Sequence, residues 1–264
     1  MLLEAKNINI SFKKENQSKL FGRQRQQVVK NVSLDLEKGE TLGIIGESGS
    51  GKSTLGKSLI GILKPDNGEV IIDGVDIYSS MSNEEKAYVR KKLSVVFQDY
   101  TSSVNPRFRV KNIIGEALKV KVKREKIHIN MREETVRLME IVGLDSTYLD
   151  RYSHELSGGQ LQRVCIGRAI ATNPEIILLD EAISSLDASI QVQVMDLLME
   201  LQKKYGFSYI FITHDLPSVT YMCNRVIFFY DGEIIEKIDN IKNLYNVKNQ
   251  YAQRLLNSVL EIEM

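Results

Sequence analysis

Eight residues constrain this chain more than any other feature: Gly46-Glu47-Ser48-Gly49-Ser50-Gly51-Lys52-Ser53 fits the spacing G-x-x-x-x-G-K-[ST]. The pattern carries weight only between a strand and a helix, and it has both neighbours. Thr41-Leu42-Gly43-Ile44-Ile45 is a short apolar run ahead of Gly46, and a helical pattern opens after Gly51 and takes in Thr54. Glycines let the backbone curl until several N–H groups point inward, and the helix N-terminus adds partial positive charge, so the loop suits phosphate oxygens. Lys52 is placed to reach the β- and γ-phosphates of a nucleotide, and the Ser53 hydroxyl to take one position on Mg²⁺. A glycine-rich turn with an unrelated lysine would produce the four fixed positions in roughly one chain of this length in a hundred. A guanine-reading Asn-Lys-x-Asp pattern is absent from the sequence, which favours ATP as the nucleotide.

Strand and helix signals alternate on both sides of the loop. Val32, Leu34 and Leu36 alternate cleanly with Ser33, Asp35 and Glu37, whereas the segment from Leu2 to Asn9 alternates only loosely. Between them runs a polar stretch from Lys13 to Gln27 carrying a Leu20-Phe21-Gly22-Arg23 island, read as an exposed loop. After a turn at Pro65 to Gly68, Glu69 to Ile72 and Leu93 to Phe97 read as further strands. From about Val110 to Ala171 the period becomes helical. Ile176-Ile177-Leu178-Leu179 is then a continuous apolar run of the kind buried in a parallel sheet. Ile190, Val194, Leu197, Leu198 and Leu201 share one helix face, and Tyr209 to Ile212 and Val226 to Phe229 are the last strands. Strands alternating with helices predict an α/β fold with a mostly parallel sheet, and the change of period marks an inserted α-helical subdomain.

Composition narrows the function classes. With 35 Lys+Arg against 34 Asp+Glu the formal net charge is +1, too small a field to recruit nucleic acid, and the Lys119 to Lys126 run reads as a solvated face. Hydrophobic residues at 43% and charged residues at 26% exclude a disordered or fibrous chain. The segment Met1 to Lys6 is charged too early for a signal peptide, and no uncharged run reaches the roughly 18 residues of a membrane span. Cys165 and Cys223 lie far apart and form no C-x-x-C pair, so they read as buried thiols. His128 reads as a surface residue, and neither it nor His154 is assigned a metal.

A second glycine motif decides between families. Leu156-Ser157-Gly158-Gly159-Gln160 leads into a helix, so a hydroxyl, two glycines and a helix N-terminus make another anion-binding surface. One nucleotide needs only one such surface, which points to a site completed by another subunit. The motif resembles the signature of the ABC transporter ATPases, and the remaining family motifs follow in the family's order. Ile176 to Leu179 with Asp180-Glu181 looks like the Walker B strand, and Gln98 after Val95-Val96-Phe97 like the Q-loop. Ser185-Leu186-Asp187 is similar to the D-loop, and His214 in Thr213-His214-Asp215 to the switch histidine.

The resemblance covers essentially the whole chain, and it implies an α/β fold built as a P-loop NTPase core of the RecA-like kind with an N-terminal antiparallel β subdomain and an inserted α-helical subdomain. It implies that Asp180, Ser53 and Gln98 hold Mg²⁺, that Glu181 orients and deprotonates the attacking water, and that His214 and Lys52 meet the γ-phosphate. Phe12 stands where family members present an aromatic ring to adenine, and Ala182 stands where proline is usual. The implied division is 1–97 and 172–240 as nucleotide-binding core with β subdomain, 98–171 as helical subdomain and 241–264 as a C-terminal helical tail. The implied assembly is a head-to-tail pair with a second ABC ATPase subunit, a nonidentical homologue with a homodimer as the alternative, together with two integral-membrane permease subunits and an extracytoplasmic solute-binding protein, at the cytoplasmic face of the membrane. Phe97-Gln98-Asp99, Ser103-Val104-Asn105-Pro106-Arg107, Ser189-Ile190-Gln191-Val192-Gln193 and the Leu20 to Arg23 island look like the peptide/nickel uptake subset. A cysteine-bearing extension common in peptide importers is not found before Met264, which tilts the expected cargo toward nickel or a metal chelate. The alternative is a soluble ABC ATPase such as one for iron–sulfur cluster assembly. A DNA-repair ATPase would need a long heptad insertion and a translation factor two ATPase units.

Overall fold

The computed structural model describes residues 1–13 and 25–260, and side chains up to Asn257. The Leu20 to Arg23 island lies outside them. In chain order the elements are β1 (Leu3–Lys13), β2 (Arg25–Leu36), β3 (Thr41–Ile45), α1 (Lys52–Leu59), β4 (Asn67–Ile72), β5 (Val75–Asp76), α2 (Asn83–Lys92) and β6 (Leu93–Val96). There follow α3 (Val110–Glu125), α4 (Met131–Ile141), α5 (Gly158–Ile170), β7 (Ile176–Asp180) and α6 (Ala188–Tyr205). The chain ends in β8 (Ser208–Thr213), α7 (Leu216–Met222), β9 (Arg225–Tyr230), β10 (Glu233–Ile238) and α8 (Gln250–Leu260). They form two units: Met1–Val89 with Ser208–Met264, and Arg90–Phe207.

The first unit contains an antiparallel sheet in the order β2-β1-β4-β5. Leu3 and Ala5 of β1 are buried, and so are Ile8 and Ile10, so the buried face changes parity between Ala5 and Ile8. The register shifts there because Asn7 takes a left-handed conformation, φ 51°, and its N–H donates to Ser33 Oγ at 2.9 Å. Opposite, Asn31 does the same at φ 49°, with its N–H donating to Asn9 Oδ1. This pair of bulges is why the alternation along β1 is loose in the sequence.

Within the same unit β3 pairs in parallel with β8 on one side and β9 on the other, and β10 closes the edge antiparallel to β9. Every residue of β3 and β8 is buried, as expected of strands covered on both faces. Gly43 allows this on the face toward α7: a Cβ there would lie 2.8 Å from Cys223 Sγ. Burial pushes that thiol far above its ordinary pKa, so Cys223 behaves as a small apolar group. An ion pair between Arg225 of β9 and Asp35 of β2, 2.7 Å, ties the unit's two sheets together.

The second unit sets parallel β6 and β7 with a helical group. Helices α3 and α4 pack on α5, with Ile113, Ile114 and Leu118 of α3 and Val164, Cys165 and Ile166 of α5 in the core. On α4 the buried stripe is Thr135, Leu138 and Met139, while Val136 and Ile141 are only half-buried, so the face is set by the i, i+3, i+4 spacing from Thr135. Of the face expected on α6, Val194, Leu197, Leu198 and Leu201 are buried and Ile190 is half-buried. No described helix is long and apolar enough to cross a membrane.

Candidate functional site

The Gly46–Ser53 loop leaves the C-terminal end of β3 and enters α1, the place where parallel sheets present ligands. Gly46 is required by close approach: a Cβ there would sit 2.0 Å from the Phe229 carbonyl oxygen of β9. Gly51, at φ 104°, caps α1, and a Cβ there would lie 2.6 Å from the Val28 carbonyl oxygen. Lys52 is 3% exposed, and its ammonium donates to Gly46 O and Glu47 O, both at 2.7 Å, so its charge lies along the inner rim of the loop. Ser53 and Thr54 continue into α1 behind it.

His214 leaves the neighbouring strand. Ile45 pairs with Thr213, so Gly46 and His214 exit the sheet side by side, and His214 is exposed at that edge. Asp215 then caps α7 by accepting from Ser218 N at 2.9 Å. Phe12, near the end of β1 opposite Gln26, is 43% exposed.

In the second unit Val96 pairs with Leu179, so the chain leaves β6 and β7 at one level. Gln98 and Glu181 meet there: Gln98 Nε2 donates to Glu181 Oε2 at 2.8 Å. Only the amide nitrogen can donate to a carboxylate, which leaves the Gln98 carbonyl oxygen as an acceptor or ligand. Asp180 and Glu181 are 4% and 7% exposed, and Glu181 sits at φ 47°, a conformation a non-glycine residue holds only when its surroundings impose it. The turn that imposes it runs through Ser184, whose N–H and hydroxyl both donate to Glu181 O. Ser185, Leu186 and Asp187 follow, and Asp187 opens α6 through its carbonyl.

Ser157 caps α5 in a reciprocal box: its hydroxyl accepts from Gln160 N at 3.3 Å, and Gln160 Oε1 accepts from Ser157 N at 3.0 Å. The helix thus begins inside the signature motif, just after Leu156, leaving the Gly158 and Gly159 amides in its first turn. Both glycines also serve packing within the chain. A Cβ on Gly158 would lie 2.7 Å from the Tyr100 hydroxyl, and one on Gly159 2.6 Å from Ile190 Cγ2. Tyr100 and Ser103, just past Gln98, are fastened to the same helix, since Arg168 donates to Ser103 O at 2.6 Å. The sequence gives these attachments no motif of their own. His154, beside the signature, stacks on Tyr152, and His128 is exposed.

Residues 29–184 match the ABC transporter family. The chain belongs to that family. As an ABC ATPase it is similar to the metal-staphylopine import system ATP-binding protein CntF of Staphylococcus aureus, 43% identical over 91% of this chain and 93% of the relative. It is also similar to the oligopeptide transport ATP-binding protein OppF of Bacillus subtilis, 40% identical over 88% of this chain and 76% of the relative. Among solved structures, the ATP-binding cassette MJ0796 in a dimeric post-hydrolysis state bound to ADP and Pi superposes with a TM-score of 0.76. It is 28% identical, with 89% of this chain and 97% of that one covered. This ABC ATPase thus has an ATP-binding cassette fold, and the loop at Gly46–Ser53 lies within the matched segment.

Proposed function

We propose that this ATPase powers an importer, with the ATP polyphosphate on Gly46–Ser53, hydrolysis at Glu181 and the cargo passing through separate permease subunits. The observation that carries the hydrolytic reading is the 2.8 Å hydrogen bond from Gln98 to Glu181. A general base must be oriented, and here the Gln98 amide fixes one oxygen of the carboxylate that takes a proton from water. Lys52 and the loop amides meet the phosphates, His214 the γ-phosphate, and Phe12 offers its ring to adenine. The donor set of Ser53, Asp180 and the Gln98 carbonyl is all hard oxygen, which suits Mg²⁺. When bound, the ion neutralises phosphate charge.

The Ser157–Gln160 surface at the head of α5 meets the nucleotide of a second ATPase subunit, related or identical, and the D-loop Ser185–Asp187 lies along the same junction. Residues 98–171 act as the helical subdomain that reports the state of Gln98 to the permeases, and 241–264 as a tail. The chain works at the cytoplasmic face of the membrane, with a solute-binding protein outside. Relatives named for metal-staphylopine and for oligopeptide import support a cargo of metal chelate or peptide. Glu181→Gln should leave ATP binding within about twofold while lowering kcat by about 100-fold or more. Undiminished turnover in that variant would remove Glu181 as the base.

A further inference from the structure

Tyr251, on the first turn of α8, touches the phosphate loop, although no motif includes it. Its hydroxyl accepts from the Glu47 N–H at 3.1 Å. That N–H belongs to the Gly46–Glu47 peptide, whose carbonyl accepts from Lys52 Nζ at 2.7 Å. In a trans peptide the N–H and the C=O point in opposite directions across one rigid plane. The plane is therefore pinned at both ends, by a phenol on one side and by the loop lysine on the other. Rotating it to break the first bond would turn the carbonyl away from Lys52.

The hydroxyl itself is firmly placed. Glu236 of β10 accepts from Lys248 N at 2.7 Å and from Asn249 N at 2.9 Å, and Asn249 Oδ1 accepts from Tyr251 N at 2.8 Å. The Tyr251 ring lies against Tyr230 at the end of β9, with centroids 4.5 Å apart. Partial burial raises the phenol's pKa above its ordinary value, so the group stays a neutral hydroxyl.

We infer that Tyr251 is a positioning residue for ATP binding, holding the Gly46–Glu47 peptide in the orientation that seats Lys52. The inference rests on the proposed reading of Gly46–Ser53 as the polyphosphate seat. Tyr251→Phe keeps the ring and removes the hydroxyl, which accepts from the Glu47 N–H and also faces the Glu47 carboxylate. In the purified full chain it should raise the ATP Kd, and the KM for hydrolysis, about three- to tenfold, the range of one net hydrogen bond, with kcat within about twofold. Because the effect runs through Lys52, Tyr251→Phe should add less than about twofold to the ATP Kd when Lys52 is already alanine. Lys52→Ala with unchanged ATP affinity would overturn the polyphosphate reading and this inference with it. If Lys52→Ala weakens binding while Tyr251→Phe leaves Kd and KM within twofold, the inference alone falls. It also falls if Tyr251→Phe lowers kcat and leaves KM unmoved, or costs the same factor in both Lys52 backgrounds.

Discussion

Alanine at position 46 and alanine at position 49 should cost the protein different amounts, although both replace a glycine of the same loop. At Gly46 the added carbon would meet the Phe229 carbonyl at 2.0 Å, and backbone on backbone has no side chain that can swing aside. At Gly49 nothing lies within 4 Å, and the penalty is only that of a left-handed φ of 81°. Urea denaturation should show a loss of about 2–3 kcal/mol for Gly46→Ala and about 1 kcal/mol for Gly49→Ala. The Gly46–Ser53 pattern stands out by spacing alone, whereas Gln98 and Glu181, 83 residues apart and hydrogen-bonded in the structure, were picked out only through the family resemblance. Tyr251 was not, because an aromatic residue on an amphipathic helix has the same pattern whether it fills a core or holds a peptide. Tyr100 escaped for a similar reason: its hydroxyl packs over Gly158, and packing of that kind follows no local spacing.

Among the elements, β1 shows where periodicity fails and why. A strand that carries its buried face on Leu3 and Ala5 and then on Ile8 and Ile10 cannot alternate in sequence, because a bulge at Asn7 moves the register by one residue. Asparagine tolerates the left-handed conformation, and β-branched residues do not. Asn7→Gly should therefore stay within about 0.5 kcal/mol of the parent, and Asn7→Val should lose about 1–2 kcal/mol. Thermal or urea midpoints for the pair would check this, and a stable valine variant would mean that the bulge is not enforced. The fully buried strands β3, β7 and β8 were legible because residues covered on both faces must all be apolar. The tie between the sheets was not, since Asp35 and Arg225 lie far apart in sequence and meet only after both sheets have formed.

Acid should destabilise the molecule through carboxylates in both units. In the first, the hydrogen bond from Arg225 holds Asp35 below the usual carboxylate range, and that from Ser11 does the same for Asp66. In the second, Arg137 lowers Glu134, and hydrogen bonds from Thr101 and Ser102 bring Asp99 down to about 2. A depressed folded-state pKa contributes stability that is complete above the unfolded value and is lost as pH falls through the folded one. Stability should thus be level near neutrality and decline from about pH 4 toward about pH 2. Burial raises Glu40, which acts in the opposite sense: its contribution is present below the ordinary carboxylate value and is lost as pH rises through its raised folded value, above the range of the acid decline. Asp35→Asn should cost about 1 kcal/mol at neutral pH and flatten the acid limb of a urea-midpoint profile. An unchanged limb would show that this carboxylate does not drive it.

The pairing of β3 with β8 and β9 also dictates an order of assembly. Residues 90–207 are contiguous, so that unit has all its strands and helices in hand before β8 is made. Strand β3, synthesised early, waits for Tyr209 to Thr213 on one side and Arg225 to Phe228 on the other. Contacts between such distant stretches form late and slowly. During translation the chain therefore carries a finished middle and an open beginning, and its phosphate loop gains the strand against which Gly46 packs only after β9 has been made.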